Sequence, residues 1–269
     1  MLKKCNKKIY SLAFCFSLYY NLLKKEKSLM PQIDIENLKV EYHNKSSGKV
    51  VAINGFDATF LSEKVNVIIG CSGCGKTTLL KAITGVLDYE GEIKFDGESV
   101  DTIPTHKRDV GFVSQEYVLY PNMTIFDNIA FPLKLTKMTR DEIVERVLEV
   151  AGQFDLVHCL TRKPKHLSGG QQQRVAIVRC LVKQPSICLM DEPLSNIDEQ
   201  QRYETRIYLK EYFKNNKTTV LYVTHNLLEA TALADTVTVM DNGKNVICGD
   251  PLYVFNSCNP IVLSLKGIM

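Results

Sequence analysis

Several common features are missing from this 269-residue sequence. It has no internal repeat, no low-complexity linker and no inserted coiled coil. It has no Asn-Lys-x-Asp run of the kind that reads guanine, which sets a small GTPase aside. Its nine cysteines are odd in number and follow no paired spacing. That usage fits a reducing compartment rather than a disulfide scaffold. The single Cys-x-x-Cys, Cys71 to Cys74, lacks the second pair that a zinc site needs. A basic body is missing too. Residues 1–29 hold seven lysines and one acid, +6, which leaves the remaining chain at −3. A slightly acidic body is not the footprint of a nucleic-acid binder. What is present is ordinary for a globular chain: 45% hydrophobic and 23% charged residues, enough for one large or two small domains with a core.

No apolar run reaches the ~20 residues of a membrane-spanning helix. The longest candidate, residues 9–23 (IYSLAFCFSLYYNLL), is flanked by lysines. It has the basic start and apolar middle of a signal peptide but no small-x-small cleavage site. A membrane anchor and an untranslated leader are the other readings. Met30 is followed at once by strand-like sequence, so translation is expected to start there, and residues 1–29 form a leader outside the domain.

Alternating or continuous apolar runs predict strands over 32–40, 51–60, 65–70, 91–97, 186–193 and 219–225. Helical spacing follows over 77–87, 139–152, 171–184, 198–215 and 227–234, with Thr124 or Asn122 and Thr139 as candidate caps. Residues 236–249 read as a hairpin turning at Asn242-Gly243. Strands alternating with helices imply an α/β core with a parallel sheet. The helical block over about 116–170 reads as an inserted subdomain of a domain spanning 30–257, with 258–269 as a tail.

Three motifs carry chemistry. GCSGCGKT, residues 70–77, fits G-x-x-x-x-G-K-[ST] in full, with an apolar strand before it and a helix after it. Gly70, Cys71, Ser72, Gly73, Cys74 and Gly75 supply backbone N–H groups that can face phosphate oxygens, as can Thr78 behind them. Lys76 can neutralise the β- and γ-phosphates of a nucleotide, and the Thr77 hydroxyl can meet Mg²⁺. The second motif, ICLMDEP, ends an apolar strand in Asp191, aimed at the metal, and Glu192, a candidate general base. The third, LSGGQ, comprises Leu167, Ser168, Gly169, Gly170 and Gln171 and opens a helix. It reads either as a plain N-cap or as a second anion surface. One nucleotide needs one phosphate loop, so the second surface makes sense if it closes on a nucleotide held by another copy. A redox role for Cys71 and Cys74 fits poorly with a loop committed to phosphate. Alkylation of Cys74, just before Gly75 and Lys76, is expected to block hydrolysis.

These residues, in this order over about 32–255, resemble the nucleotide-binding subunit of an ATP-binding cassette (ABC) transporter. The resemblance implies the ABC ATPase fold: a P-loop NTPase core with a parallel sheet, an N-terminal antiparallel β subdomain and an inserted α-helical subdomain. It implies ATP and Mg²⁺ as ligands and a homodimer sandwiching two ATP molecules. Tyr42, 28 residues before Gly70, matches the aromatic that stacks on adenine, though it also fits an edge aromatic. Gln115 matches the glutamine that touches Mg²⁺. Asp198 in SNID matches a partner-contacting residue, and His225 matches the histidine at the γ-phosphate. Lys76, Glu192 and His225 are the expected catalytic residues, with Thr77, Gln115 and Asp191 at the metal.

LYPNMTIFDNIAFPLKL, residues 119–135, lies where the family meets its membrane subunits, and with GGQQQR and PLSNIDEQQR it resembles importers of sugars and related solutes. Such ATPases usually carry a C-terminal β-barrel domain, whereas residue 269 is 14 past Phe255. Organic anions, polyamines and amino acids therefore remain open as substrates, and so does a non-transport ABC switch in cell division or assembly. The resemblance implies separate transmembrane permease subunits, an extracytoplasmic solute-binding protein, and a peripheral place on the cytoplasmic face of the membrane.

Overall fold

The structure is a computed structural model that describes residues 30–44 and 48–267. The expectations for residues 1–29 lie outside the described residues. Among the described residues, ten strands form two sheets. The smaller is antiparallel, in the order β2 (Gly48–Phe60), β1 (Ile33–Asn44), β4 (Glu90–Phe95) and β5 (Glu98–Ser99). The larger has six strands: β10 (Lys244–Gly249), β9 (Thr236–Asp241), β3 (Val65–Ile69), β8 (Thr219–Thr224), β7 (Ile187–Asp191) and β6 (Val110–Val113). Its pairs are parallel except at the β9–β10 edge.

The continuous apolar runs of β3, β7 and β8 are explained by burial on both faces. Side chains alternate across a sheet with period two. Ile68, Leu189, Leu221 and Val223 therefore face one core, shared with β1, β2 and α1 (Lys76–Thr84). Val67, Ile69, Cys188, Met190, Val220 and Tyr222 face another, built with the remaining helices. The antiparallel sheet and α1 thus cover one side of the parallel sheet, and the other helices cover the opposite side.

Residues 116–170 contain helices and no strands: α2 (Ile125–Ala130), α3 (Arg140–Gln153) and three short 3₁₀ turns. Thr124 caps α2 through Asp127 N–H, and Thr139 with Glu142 forms a reciprocal capping box at α3. Within the block expected to be helical, α2 stops before Pro132, after which the chain tightens into a 3₁₀ turn. Then follow α4 (Gly169–Leu181), α5 (Glu199–Asn216) and α6 (Leu227–Leu233). The hairpin turns at Asn242 and Gly243, both left-handed (φ 45° and 72°) as a two-residue type I′ turn requires. The stretch read as a tail carries α8 (Pro260–Leu265), after α7 (Pro251–Phe255), and its Val262 is fully buried in the core.

Candidate functional site

Parallel strands all end on the same side of their sheet, so residues far apart in sequence meet at one edge. The phosphate loop follows β3, Gln115 follows β6, Asp191 ends β7 with Glu192 just after it, and His225 follows β8. A cleft of about 510 Å³ opens there. Residues 70–73 and 75–78 line it together with Gln115, Glu192 and His225. Ala52 and Leu265 complete the wall. Leu265 belongs to α8, whose Asn259-Pro260 start is a legible cap that sequence reasoning passed over.

The loop is held tightly from behind. A Cβ at Gly70 would sit 2.1 Å from the Met240 carbonyl oxygen. Gly75 is left-handed (φ 107°), and a Cβ there would stand 2.6 Å from the Ala52 carbonyl oxygen. Only glycine fits such positions. The β9–β10 turn braces the loop further, since Gly243 N–H donates to the Cys74 carbonyl at 3.0 Å. Lys76 is buried, and its ammonium donates to the Gly70 and Cys71 carbonyls at 2.9 and 2.8 Å. The N-terminus of α1 and this ammonium make the cleft an anion cradle.

The two loop cysteines differ. Cys71 is exposed and Cys74 is buried. Burial raises the Cys74 thiol above its usual range despite Lys76 nearby. Cys74 is therefore poorly placed for alkylation, and Cys71 is the accessible thiol of the loop.

Thr77 donates its hydroxyl to Asp191 Oδ1 at 3.0 Å. Burial is the main cause that raises the Asp191 carboxyl above its usual value, and the Thr77 hydrogen bond opposes it. No group of three His, Cys, Asp or Glu among the described residues is placed to hold a metal. Mg²⁺ does not require one, because it usually takes one or two protein oxygens and completes its shell with phosphate and water. Thr77, Asp191 and the Gln115 amide offer that kind of oxygen set beside an anion cradle, so the residues fit the ion.

Glu192 has a left-handed backbone (φ 45°), uncommon for a side chain of this kind. Its N–H donates to the Val223 carbonyl of β8 at 3.0 Å, which fixes it against the strand that leads to His225. His225 Nδ1 lies 3.0 Å from Glu192 Oε2. Tyr42 stands beside the loop, its hydroxyl 3.2 Å from that of Thr78 and its side chain partly exposed.

Sequence reasoning missed an ion pair near His225, between the buried Glu229 and the half-buried Arg202. Glu229 accepts from the hydroxyls of Tyr222 and Thr224 at 3.0 and 2.8 Å. Arg202 Nε lies 3.6 Å from Glu229 Oε1, and Arg202 donates to the Leu194 and Ile197 carbonyls. The loop carrying Ser195–Asp198 is thereby fastened to the loop carrying His225. A lone Glu in a short amphipathic helix gives no sequence signal of this.

The LSGGQ residues are not among those lining the cleft. Ser168 caps α4: its Oγ accepts from Gln171 N–H at 3.3 Å, while Gln171 Oε1 accepts from Ser168 N–H at 3.1 Å. Leu167 is buried in the core. A Cβ at Gly170 would sit 1.6 Å from Gln201 Oε1, so this glycine makes room for α5. Gly169 by contrast meets only the Tyr117 hydroxyl, at 3.4 Å. Asp198 caps α5 by accepting from Gln201 N–H at 3.0 Å.

Comparison with known proteins agrees with this geometry. The family model described as ABC transporter matches residues 53–195. The chain is 42% identical over 216 residues to an uncharacterized ABC transporter ATP-binding protein, YurJ, of Bacillus subtilis (80% of this chain, 58% of that one). It is 40% identical to the sn-glycerol-3-phosphate import ATP-binding protein UgpC of Cupriavidus necator (84% and 61%). It is also 40% identical to the maltose/maltodextrin import ATP-binding protein MalK of Photorhabdus laumondii (85% and 63%). The chain therefore spans about six-tenths of the length of these relatives. Among solved structures it resembles the ATP-binding cassette MJ0796 in a dimeric post-hydrolysis state bound to ADP and Pi. The TM-score is 0.73 and the identity 28%, over 81% of this chain and 98% of that one. With the cleft, the two sheets and the helical block in place, the chain belongs to the ABC transporter family.

Proposed function

We propose that this chain is the ATP-hydrolysing subunit of an importer that takes up a sugar or related solute. The observation that carries the reading is the convergence of Lys76, Thr77, Asp191, Glu192 and His225, from the ends of β3, β7 and β8, on one cleft edge. The import names of two relatives, for sn-glycerol-3-phosphate and for maltose/maltodextrin, support the solute class.

On this reading Tyr42 stacks on the nucleotide base. Stacking reads a base's face and not its edge, so preference for ATP over GTP is weak. Lys76 and the loop amides bind the phosphates and orient the terminal one. Thr77, Asp191 and Gln115 would hold Mg²⁺, which supplies positive charge against the phosphate oxygens. Glu192 takes the proton of the attacking water, and His225, 3.0 Å away, orients that carboxylate.

Ser168, Gly169, Gly170 and the start of α4 close on the γ-phosphate of a second copy, with Asp198 at the contact. The cap geometry does not compete with this role, because the Ser168 hydroxyl can donate outward while its oxygen accepts from Gln171. Separate permease subunits dock on a groove of about 320 Å³ lined by Tyr117, Tyr120, Phe131 and Pro132. No helix among the described residues is long and apolar enough to cross a membrane, and the chain works peripherally on its cytoplasmic face. A solute-binding protein outside delivers the cargo.

The test is turnover against assembly. Ser168→Arg should keep ATP binding and abolish hydrolysis, and mixing it with Lys76→Ala chains should give non-additive activity. Full ATPase activity in a strictly monomeric chain would sink the shared site. Purification from membranes without any multi-span protein would sink the transport reading.

A further inference from the structure

Two thiols that the proposed chemistry does not use lie side by side. Cys180, in the last turn of α4, and Cys188, near the start of β7, have their Sγ atoms 4.0 Å apart. Gly111 of β6 pairs with Cys188 in the parallel ladder. A Cβ at Gly111 would stand 2.7 Å from Cys180 Sγ. The bare glycine thus leaves the space in which Cys180 reaches over the sheet to Cys188. Cys180 is half-buried and lines the groove with Arg179 and Lys183, whereas Cys188 is fully buried. In the chain free of the permease subunits, which would occupy the same groove, it admits a co-reactant to Cys180 only, and its cationic side chains, Arg179 and Lys183 (the latter 3.6 Å from the Asp109 carboxylate), suit an anionic one.

We propose that Cys180 and Cys188 are a thiol–disulfide exchange site served by a small anionic disulfide of the glutathione type. The Cys180 thiolate attacks one sulfur of the disulfide, whose S–S bond breaks. One thiolate leaves and takes up a proton. Cys188 then attacks Cys180 Sγ in the mixed disulfide, and its proton goes to the second departing thiolate. Two protein thiols are oxidised to one disulfide, and one small disulfide is reduced to two thiols. A disulfide needs about 2.05 Å between sulfurs, so the pair must close by about 2 Å. The Cys180 thiol beside it, followed by burial, holds the Cys188 thiol well above its usual range. The first attack therefore belongs to Cys180 and the second awaits the mixed disulfide. The bond joins the helix that opens with Ser168 to the strand that ends in Asp191 and Glu192. It therefore acts as a brake on turnover, a consequence that rests on the proposed ATPase function, whereas the exchange chemistry does not.

The test incubates the full chain with oxidised glutathione, then blocks free thiols and maps tryptic peptides by mass. Cleavage after Arg179 and Lys183 separates the two cysteines, so a bond between them appears as one linked pair of peptides. The expected result is that linked pair, lighter by two hydrogens than the sum of its parts and abolished by dithiothreitol. Cys180→Ser should leave Cys188 unmodified. As a second measurement, phenylarsine oxide, which bridges neighbouring thiols, should shield Cys180 from maleimide in the wild type. Glutathione that stays on Cys180, or modifies only Cys71, Cys248 or Cys258, would overturn the exchange site. For the brake, ATP turnover should fall with the linked fraction and return with dithiothreitol. A linked chain with unchanged turnover would overturn the brake, while a reduced chain with no turnover at all counts against the ATPase function instead.

Discussion

Replacing Asn128 with alanine should cost more stability than any other single polar change in the helical block. Asn128 is fully buried on α2. Its Oδ1 accepts from Tyr120 N–H at 2.8 Å. Its Nδ2 donates to the carbonyls of Tyr120 and Thr124 at 3.1 and 2.9 Å, with a longer contact of 3.5 Å to Met123. One side chain thus ties the 120–124 loop, which contributes Tyr120 to the groove's lining, to the helix that follows it. Three good bonds at about 1 kcal/mol net each give about 3 kcal/mol. Water reaching the half-open loop recovers part of that, and the small cavity left by alanine adds to it. For a domain of this size 1 kcal/mol moves Tm by about 2–4 °C, so Asn128→Ala should melt about 6–12 °C below wild type. Calorimetry in one buffer measures this, and hydrogen exchange at the Tyr120 amide locates it, since that N–H loses its acceptor. A Tm within about 2 °C of wild type, with Tyr120 as protected as before, would refute the argument that this knot holds the 120–124 loop.

Glu192→Gln should lower kcat by about 10²–10⁴-fold, the range for losing a general base, while ATP still binds and gel filtration with ATP shows a larger species; a normal rate would remove Glu192 from that role. A membrane-impermeant maleimide should modify Cys71 and spare Cys74 in the native chain, with Mg-ATP slowing the reaction; Cys74 labelled first would contradict its burial. Asp127 is held below its usual value of 3.8 first by the Lys134 ammonium and then by the Thr124 hydroxyl. Its contribution to stability is therefore present above pH 3.8 and is lost as pH falls through the lowered folded value. Asp127→Asn should accordingly be less stable than wild type at neutral pH, with the gap closing in acid; a gap that widens in acid would show that the ion pair is not its source.

Much of the site was legible in the sequence because its signals are local. The phosphate loop needs glycines, a lysine and a following helix within eight residues, and a chain segment carries all of that by itself. The Thr139–Glu142 capping box and the Asn242-Gly243 turn depend only on neighbours three or four residues apart. The buried runs of β3, β7 and β8 announce a parallel sheet, and a parallel sheet places their ends together.

Contacts between distant segments decided the rest. The left-handed backbone of Glu192 is held by a hydrogen bond to Val223, on another strand. Cys74 and Cys71 look alike in sequence, yet packing behind the loop buries one thiol and exposes the other. The second glycine of LSGGQ looks like part of an anion loop, and its missing side chain is the space taken by Gln201. Arg202 meets Glu229 only because two helices lie side by side, and Cys180 meets Cys188 only because a helix lies against the sheet. Local hydrogen bonding and side-chain periodicity are properties of a short segment, so the sequence states them. Which atoms share a void, and which carboxylate or thiol is withdrawn from water, depends on how those segments stack, and only the tertiary structure settles it.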